Sequence, residues 1–277
     1  MPVDIIIVNW NGGPELLEAI ESGRRFGANV IVVDNASNGG SIGAVQAMPD
    51  VQLVRNAANL GFSIGCNRGV RAGSAEIVML LNPDAQIISG TAVDLERVFA
   101  MSGPVIVGFP IEQTGGMQVR SFGPMPSALT LVADLLRFDS LRRRVGMGAA
   151  PAGLALTPGM AWVIGAALAM RRSDWERLGG MDEGFFLWYE DVDLGVRMTR
   201  SGGTIALAHG VRIHHVGAST WTRLSRRRRQ WLRFLGSRRF AAKHLGPLAV
   251  AALVLALPGG LAIGVALDAA HWVTRRP

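Results

Sequence analysis

The first hundred residues alternate between short apolar runs and amphipathic segments, and this pattern restricts the fold more than any other feature of the sequence. Runs rich in Val and Ile predict strands at 3–8, 29–33, 51–54 and 76–81. The segments between them predict helices at 15–22, 42–48 and 63–72. Strands that alternate with helices in this way form a mainly parallel sheet with helices on both faces. We therefore expect an α/β fold.

Further elements are predicted beyond residue 100. The predicted strands lie at 105–109, 204–208 and 211–215. The predicted helices lie at 129–137, 174–178 and 190–200. The last helix is followed by Gly202 and Gly203, and glycine directly after a helical pattern is a common C-terminal signal. The α/β pattern therefore extends to about residue 215.

The positive charge of the chain is concentrated near its C-terminus. The net charge is +7, and nine of the 28 basic residues but none of the 21 acids lie between Arg223 and Lys243. The remaining 19 basic and 21 acidic residues leave the rest of the chain near neutrality. Trp and Phe within the basic segment make nucleic-acid binding an alternative function. Because the body is nearly neutral and an apolar stretch follows, we instead expect a membrane partner and no nucleic acid.

That apolar stretch covers residues 247–267 and contains no charged residue. A segment of this length can cross a hydrocarbon core about 30 Å thick. Pro258 and the two glycines after it interrupt the stretch, so a re-entrant or in-plane hairpin and a buried core helix are alternatives. We expect a catalytic domain at 1–220 and a membrane-associated helical tail at 221–277. The basic residues of the tail favour the cytoplasmic face of the cell membrane.

Acids at two places in the sequence are candidates for a catalytic or metal-binding role. Glu190, Asp191 and Asp193 follow an aromatic run and open a predicted helix. Clustered carboxylates repel one another, and a pocket that takes a proton from a bound hydroxyl would give them a purpose. Asp84 follows a buried strand in a Pro-containing turn. There it could hold a divalent cation against a diphosphate, or it could simply cap the next helix.

Small polar residues and glycines follow other predicted strands. Asn9 and Asn11 follow the first strand, and Asp34 follows the second. In open α/β sheets a ligand binds at the carboxyl ends of the strands, so Asp34 could accept a hydrogen bond from a nucleotide base. The glycines of 59–69 allow close backbone approach at the start of a helix. Of the adjacent histidines at 214–215, at most one is expected to be a metal ligand, because neighbours on a strand point to opposite faces.

Taken in order and spacing, six motifs resemble the inverting family 2 glycosyltransferases, and within them the rhamnosyltransferase-like branch. The motifs lie at 9–11, 34–37, 59–62, 82–84, 185–193 and 214–219. The resemblance covers about residues 3–220 and implies a GT-A fold, a nucleotide-sugar donor and a divalent cation, Mg²⁺ or Mn²⁺. Asp84 matches the last acid of the family's DxD motif, and Asn82 stands in place of the first acid.

The resemblance also implies roles for individual residues. Asp191 is similar to the family's catalytic base, and Asp84 and His214 are similar to its metal ligands. Trp188, Tyr189 and Glu190 are expected at the acceptor. The expected donor-binding residues, with Asp34 at the base, are Asn9, Asn11, Asp34, Asn35, Asn59, Gly61, Asn67, Asn82 and Asp84.

The expected reaction is therefore an inverting, single transfer of a sugar to a saccharide or polyprenyl-linked saccharide in cell-surface polysaccharide synthesis. Within the resemblance the favoured donor is dTDP-rhamnose, and another sugar such as galactofuranose is an alternative. The Gln-x-x-Arg-Trp motif of processive members is absent, which favours one transfer over polymerisation. A metal-dependent nucleotidyltransferase and a non-catalytic nucleotide-binding scaffold are further alternatives.

Overall fold

The structure is a computed structural model of the 277-residue chain. It describes residues 1–100, 103–113, 115–119, 121–136, 155–156, 159–217 and 224–274. For residues 119, 155–156 and 264–274 it describes the backbone alone. The predicted boundary at 220–221, the end of the 214–219 motif and Arg223 lie outside the described residues.

Strands in the first half of the described chain are β1 (Val3–Asn9), β2 (Asn29–Asp34), β3 (Val51–Arg55), β4 (Ile77–Leu81), β5 (Ala85–Ser89), β6 (Val105–Gly108) and β7 (Ile111–Gln113). Strands in the second half are β8 (Met117–Val119), β9 (Phe122–Gly123), β10 (Ala155–Leu156), β11 (Trp162–Val163), β12 (Ala167–Arg171), β13 (Thr204–Leu207) and β14 (Arg212–His215). The four N-terminal strands start and end within one residue of their predicted bounds. The Val- and Ile-rich runs of β1, β2 and β4 are buried on both faces.

The helices are α1 (Glu15–Phe26), α2 (Ile42–Gln46), α3 (Phe62–Ala72), α4 (Ala92–Ala100), α5 (Ala128–Leu135), α6 (Arg172–Arg177), α7 (Glu190–Arg200), α8 (Arg226–His244) and α9 (Pro247–Thr274). Sequence signals set several ends. Helix α1 has acids in its first turn and ends at Gly27, which adopts φ 89°. Helix α7 begins with three acids and carries Arg197 and Arg200 in its last turn, which suits the helix dipole.

The main sheet is mixed, which corrects the expectation of a mainly parallel sheet. Its strand order is β10-β13-β6-β12-β4-β1-β2-β3. Strands β1 to β4 are parallel, as the alternating pattern predicted. Strand β12 is antiparallel to both β4 and β6, so the direction changes in the middle of the sheet. Two apolar clusters cover the opposite faces, one against α1 and the other against α3 and α7.

A second sheet, in the order β5-β14-β7-β8, was not predicted from the sequence. It matters for function because β5 follows directly after the turn at residues 82–84. Strand β14 pairs antiparallel with β5, with His215 opposite Ala85 and His214 opposite Gln86. The C-terminal end of β14 is therefore held beside Asp84.

The C-terminal helices pack on the α/β domain. Phe234 and Phe240 of α8 are buried with Phe185, and Ala249 and Leu253 of α9 join the same apolar cluster. Helix α9 also packs against α5. Among the helices in the described part of the chain, none is both long enough and apolar enough to cross a membrane.

Candidate active site

A cavity opens at the carboxyl ends of β1, β2 and β4, where an α/β sheet is expected to bind its ligand. The strand-end residues in its wall are Trp10, Asn35, Asn82, Pro83 and Asp84, together with His215 from β14. The rest of the wall comes from Val8, Asn59, Gly61, Phe62, Phe186, Leu187, Leu224, Arg228 and Leu232. Four parts of the fold therefore meet here: the strand ends, the 59–62 segment, the segment before α7 and the start of α8.

Asp84 and His215 form the polar centre of this cavity. The Nε2 atom of His215 lies 3.1 Å from Oδ1 of Asp84. Both side chains are largely buried, with exposures of 12% for His215 and 6% for Asp84. The structure thus brings His215 to Asp84, and not His214 as predicted. The reason is the β14 register, since alternate residues of a strand point to opposite faces.

This pair supplies two side chains of the type that could hold a divalent cation, one carboxylate and one imidazole. Among the residues that the structure describes, no group of three or more His, Cys, Asp or Glu side chains is placed to hold a metal ion. Mg²⁺ commonly uses only one or two carboxylates and completes its shell with water and substrate phosphates. The donor set therefore fits a cation held jointly by the protein and a phosphate ligand.

Asp34 lies behind the wall of the cavity. Its side chain is fully buried, and it accepts hydrogen bonds from Asn9 Nδ2 at 3.2 Å and from the Ser37 amide at 3.3 Å. Asn35 is the residue of this turn that lines the cavity. Its Nδ2 donates to the carbonyl of Gly61 at 3.0 Å, which ties the end of β2 to the glycine-containing segment.

Three further predicted donor residues also lie outside the cavity wall. Asn9 is buried and bonds to Asp34, while Asn11 adopts φ 53° and accepts from the Asn38 amide. Asn67 sits on α3 and makes reciprocal bonds with the backbone of Met181, its Nδ2 donating at 2.8 Å and its Oδ1 accepting at 2.9 Å. These contacts give Asn67 a structural position between α3 and the 181–183 segment.

Gly61 joins the donor side of the cavity to the segment before α7. It adopts φ 90°, and a Cβ atom there would lie 2.6 Å from the carbonyl oxygen of Phe186. The next amide, that of Phe62, donates to the same oxygen at 2.8 Å. Both the backbone angle and the close approach therefore require glycine.

Asp191 stands in the first turn of α7, beside the cavity but not in its wall. Its Oδ2 accepts from the Gly165 amide at 2.7 Å, and its Oδ1 accepts from the Val192 amide at 2.8 Å. Burial raises the pKa of Asp191, and the two amides oppose that shift. Asp191 as a residue is half-buried, and a group that receives a proton from a substrate must lie within reach of it.

A short backbone segment connects Asp191 to the turn of Asp84. Gly165 donates to Asp191, and the next residue, Ala166, accepts from the Asn82 amide at 2.9 Å. A Cβ atom at Gly165 would lie 3.4 Å from both Asp191 Cβ and Phe62 Cε1, and Phe62 forms part of the cavity wall. The side chain of Asp191, the predicted base, is therefore bonded to Gly165. The turn that carries Asp84, the predicted metal ligand, is bonded to the next residue, Ala166, which directly precedes β12.

Glu190 precedes Asp191 and is buried, with 5% exposure. Burial, and then the charge of Asp191, raise the pKa of Glu190 well above its ordinary value. Its Oε2 has no hydrogen-bond partner among the described residues. Glu190 therefore places a buried carboxyl, whose surroundings favour its protonated form, next to the carboxyl of Asp191.

The two residues before Glu190 adopt unusual backbone angles. Trp188 has φ 70° and Tyr189 has φ 71°, a region that costs about 1–3 kcal/mol for a residue with a side chain. Contacts hold this conformation, since the Tyr189 hydroxyl donates to Asp134 at 2.9 Å and Arg233 lies 5.2 Å from the Trp188 ring centroid. Neither aromatic side chain lines the cavity, whose wall here is formed by the two preceding residues, 186–187.

Helix α8 is bound to α7 through the buried carboxylate of Asp193. It accepts from Arg197 Nε at 2.8 Å, from His244 Nε2 at 2.7 Å and from Lys243 Nζ at 2.7 Å. The other ring nitrogen of His244 faces Arg200 Nη1 at 2.8 Å, and because arginine only donates, this nitrogen accepts. Burial lowers the pKa of His244, consistent with a neutral ring that carries its proton on Nε2.

Comparison with known families decides the identity of the chain. The model of "Glycosyl transferase family 2" matches residues 4–123, and that of "Glycosyl transferase family group 2" matches residues 130–274, more than half of the chain. The chain belongs to glycosyltransferase family 2. This confirms the resemblance inferred from the six motifs and establishes the protein as a glycosyltransferase.

Individual relatives of this glycosyltransferase are more distant. It is 29% identical over 252 residues to "N-acetylglucosaminyl-diphospho-decaprenol L-rhamnosyltransferase" of Mycobacterium tuberculosis strain H37Rv, covering 78% of this chain and 76% of the relative. It is 24% identical over 271 residues to "Low-salt glycan biosynthesis hexosyltransferase Agl10" of Haloferax volcanii, covering 94% and 83%.

Solved structures of similar fold include a mannosyltransferase from Pyrobaculum calidifontis in complex with GDP-Man and Mn²⁺. The TM-score is 0.56 at 18% identity, and the match covers 97% of this glycosyltransferase and 75% of that chain. A second is GalNAc-T7 with UDP, GalNAc and Mn²⁺, with a TM-score of 0.58 at 14% identity, covering 78% of this chain and less than half, 44%, of that one. At these identities the likeness shows the fold, an α/β GT-A-like fold with a mixed central sheet.

Among the wall residues that sequence reasoning missed in this glycosyltransferase, three have side chains that can form hydrogen bonds. Trp10 lies inside the first motif and His215 beside the predicted histidine, so each was one position away from a predicted residue. Arg228 belongs to the basic segment that was assigned to the membrane. Only its spacing of four residues from Leu232 could have indicated a shared helix face.

Proposed function

We propose that this glycosyltransferase moves a sugar from a nucleoside diphosphate donor to a hydroxyl acceptor in one inverting displacement. The observation that carries the proposal is Asp191, a half-buried acid whose carboxylate is fixed beside a strand-end cavity that contains Asp84 and His215. The nucleotide-bearing structures of similar fold, with UDP and with GDP-Man, support a nucleotide donor.

The donor nucleotide would lie across the carboxyl ends of β1, β2 and β4. Asp34 and Asn35 stand at the end of β2, where the base and ribose would bind, although Asp34 must be reached by a shift of the residues in front of it. The diphosphate would lie toward Asp84 and His215. Those residues would hold a divalent cation, which when bound neutralises charge on the diphosphate.

The acceptor hydroxyl would approach from the side of α7. Asp191 removes its proton as the hydroxyl oxygen bonds to the anomeric carbon, and the bond from that carbon to the diphosphate oxygen breaks on the opposite face. The electron pair of the broken bond remains on the nucleoside diphosphate. The transition state resembles that of glycoside hydrolysis, with positive charge on the sugar ring.

For the sugar and the acceptor we propose rhamnose and a lipid-linked saccharide. The support is the name of the Mycobacterium tuberculosis relative, a rhamnosyltransferase of a decaprenol-linked acceptor, at 29% identity. The test is a panel of nucleotide sugars incubated with the full chain and Mg²⁺ or Mn²⁺, with nucleotide release as the readout, in the presence and absence of a polyprenyl-diphosphate saccharide. Acceptor-dependent release from dTDP-rhamnose is expected, and release only from another donor would overturn the choice of sugar.

The role of Asp191 is tested by Asp191→Asn, which keeps the shape of the side chain and removes its basicity. Base catalysis typically contributes about 10²–10⁴-fold, so we expect kcat to fall by that factor while the donor Kd stays near the wild-type value. Glu176→Gln removes an exposed charge elsewhere and serves as the control. Normal turnover by Asp191→Asn would rule out this base.

We also propose that the enzyme works at the cytoplasmic face of a membrane. The support is an exposed apolar surface on the C-terminal helices, with Leu248 86% exposed, Leu255 81% exposed and Trp231 45% exposed, next to the arginines of α8. Because Phe234 and Phe240 are buried, removal of α8 would disturb the domain, so point substitutions are preferable. Flotation with anionic liposomes should be weakened by Leu248→Asp with Leu255→Asp, and unchanged flotation would contradict the proposal.

A further inference from the structure

The basic residues of α8 divide into two groups. Several pair with acids of the α/β domain, since Arg233 lies 3.5 Å from Asp134 and Arg239 lies 2.6 Å from Asp182. Arg228 is different. Its guanidinium has no carboxylate partner among the residues that the structure describes, and it lines the cavity that contains Asp84.

The direction of Arg228 is set by the face of α8 on which it lies. Arg228 and Leu232 lie four residues apart on α8, and both line the cavity together with Leu224, which precedes the helix. Side chains at this spacing share one face of a helix. Arg227 is rotated by about 100° from that face and is not part of the wall. The structure therefore directs one arginine of the run toward the site.

The charge of the cavity gives that arginine a purpose. Of the described residues in the wall, Asp84 is the only acid and Arg228 is the only arginine or lysine. The departing diphosphate gains negative charge as the bond to the sugar breaks. Asn82 stands where a second acid is typical of the family, so the described residues offer few ligands for a cation. A guanidinium can donate two hydrogen bonds to neighbouring phosphate oxygens.

We propose that Arg228 binds the diphosphate of the donor and stabilises it as the leaving group. This inference rests on the proposed function. It gives the first turn of α8 a direct part in catalysis, in addition to any role at a membrane. Because Arg228 is exposed, its replacement should leave folding unchanged.

The test is calorimetric binding of dTDP, UDP and GDP to the full chain, each compared with its nucleoside, with Mg²⁺ and again with EDTA. For the diphosphate that binds the wild-type protein best, Arg228→Ala should raise Kd by about tenfold or more. Binding of the matching nucleoside should be unchanged. The diphosphate Kd of Arg228→Lys should lie between those of the wild type and Arg228→Ala, since lysine keeps the charge but loses the paired donors.

Arg227→Ala is the matched control, because it removes the same charge from the adjacent position. Equal weakening by Arg227→Ala and Arg228→Ala, or wild-type affinity in Arg228→Ala, would overturn the proposal. Failure of all three diphosphates to bind the wild-type protein would instead overturn the nucleotide donor of the proposed function, and this inference with it. The melting temperatures of the variants should equal that of the wild type.

Discussion

Replacing Asp193 by Asn tests whether α8 holds the catalytic helix in place. Asp193 lies two residues after Asp191 and is fully buried, and its carboxylate accepts from Arg197, Lys243 and His244. Burial alone would disfavour its ionised form, but the bonds from Lys243 and His244 and the charge of Arg197 outweigh it, so the pKa of Asp193 lies below its ordinary value. The Asn variant removes the charge on which these contacts depend.

The expected loss of stability depends on the contacts that the partners of Asp193 retain in the variant. Removing one member of a buried ion pair costs about 3–5 kcal/mol. Arg197 and Lys243 are partly exposed, at 19% and 34%, and Arg197 retains the carbonyls of Leu178 and Gly180. We therefore expect a loss near the lower limit, about 3 kcal/mol. A domain with about 5–15 kcal/mol of stability would remain folded.

Two measurements separate stability from positioning. Urea unfolding at pH 7 should show the loss of free energy. Donor-saturated kinetics should show kcat reduced by about 10², because a shift of about 1 Å in a catalytic group can cost that much. The donor Kd should change little, since Asp193 lies outside the cavity wall.

Asp174→Asn provides the control. Asp174 is also buried and pairs with Arg177 at 3.0 Å, but it stands on α6. The Asp174→Asn variant should have a lower free energy of unfolding and an unchanged kcat. Wild-type kcat in Asp193→Asn, or an equal loss of kcat in both variants, would refute the positioning role.

Three further predictions concern glycine, protonation and pH. Gly61→Ala should destabilise the protein by about 1–3 kcal/mol in urea unfolding. Gly43→Ala should not, because there is open space where its new Cβ atom would lie. Glu190→Gln should raise the free energy of unfolding at pH 8 by on the order of 1 kcal/mol. Burial raises the pKa of Glu190 in the folded protein, so the wild-type protein loses stability as the pH rises above the pKa of Glu190 in the unfolded chain. The folded pKa of His244 is lowered by burial, so stability should fall as pH decreases through about 6.5, and this fall should be smaller in His244→Gln.

The N-terminal half of the fold could be predicted closely because its signals are local. The runs at β1 to β4 are apolar, flanked by polar turns, and each is separated by an amphipathic helix. The direction of β12 could not be predicted in this way. An apolar segment reads the same in either direction, and its antiparallel pairing with β4 and β6 depends on contacts about 60–90 residues away in sequence.

For the site, the sequence predicted which turns meet but not which side chains line the cavity. Asn35 and Asp84 were predicted and do line it, whereas Asp34 lies one layer behind. The exchange of His214 for His215 has a single physical cause. A one-residue difference in the register of a strand moves a side chain to the opposite face, and the register of β14 is set by β5, which the sequence did not reveal.

The basic segment shows why a run of like charges is hard to interpret from sequence alone. Its nine basic residues without an acid predicted an anionic partner outside the protein. In the structure Arg233, Arg239 and Lys243 instead reach Asp134 and Asp182, acids that lie about 60–100 residues upstream. The local charge imbalance is therefore partly an effect of chain order. What remains for an external ligand is the exposed arginines, and the helix turns one of them toward the cavity. Arginines of one basic segment can thus differ in role, some as surface charges and one as a substrate ligand, and the helix face on which each lies distinguishes them.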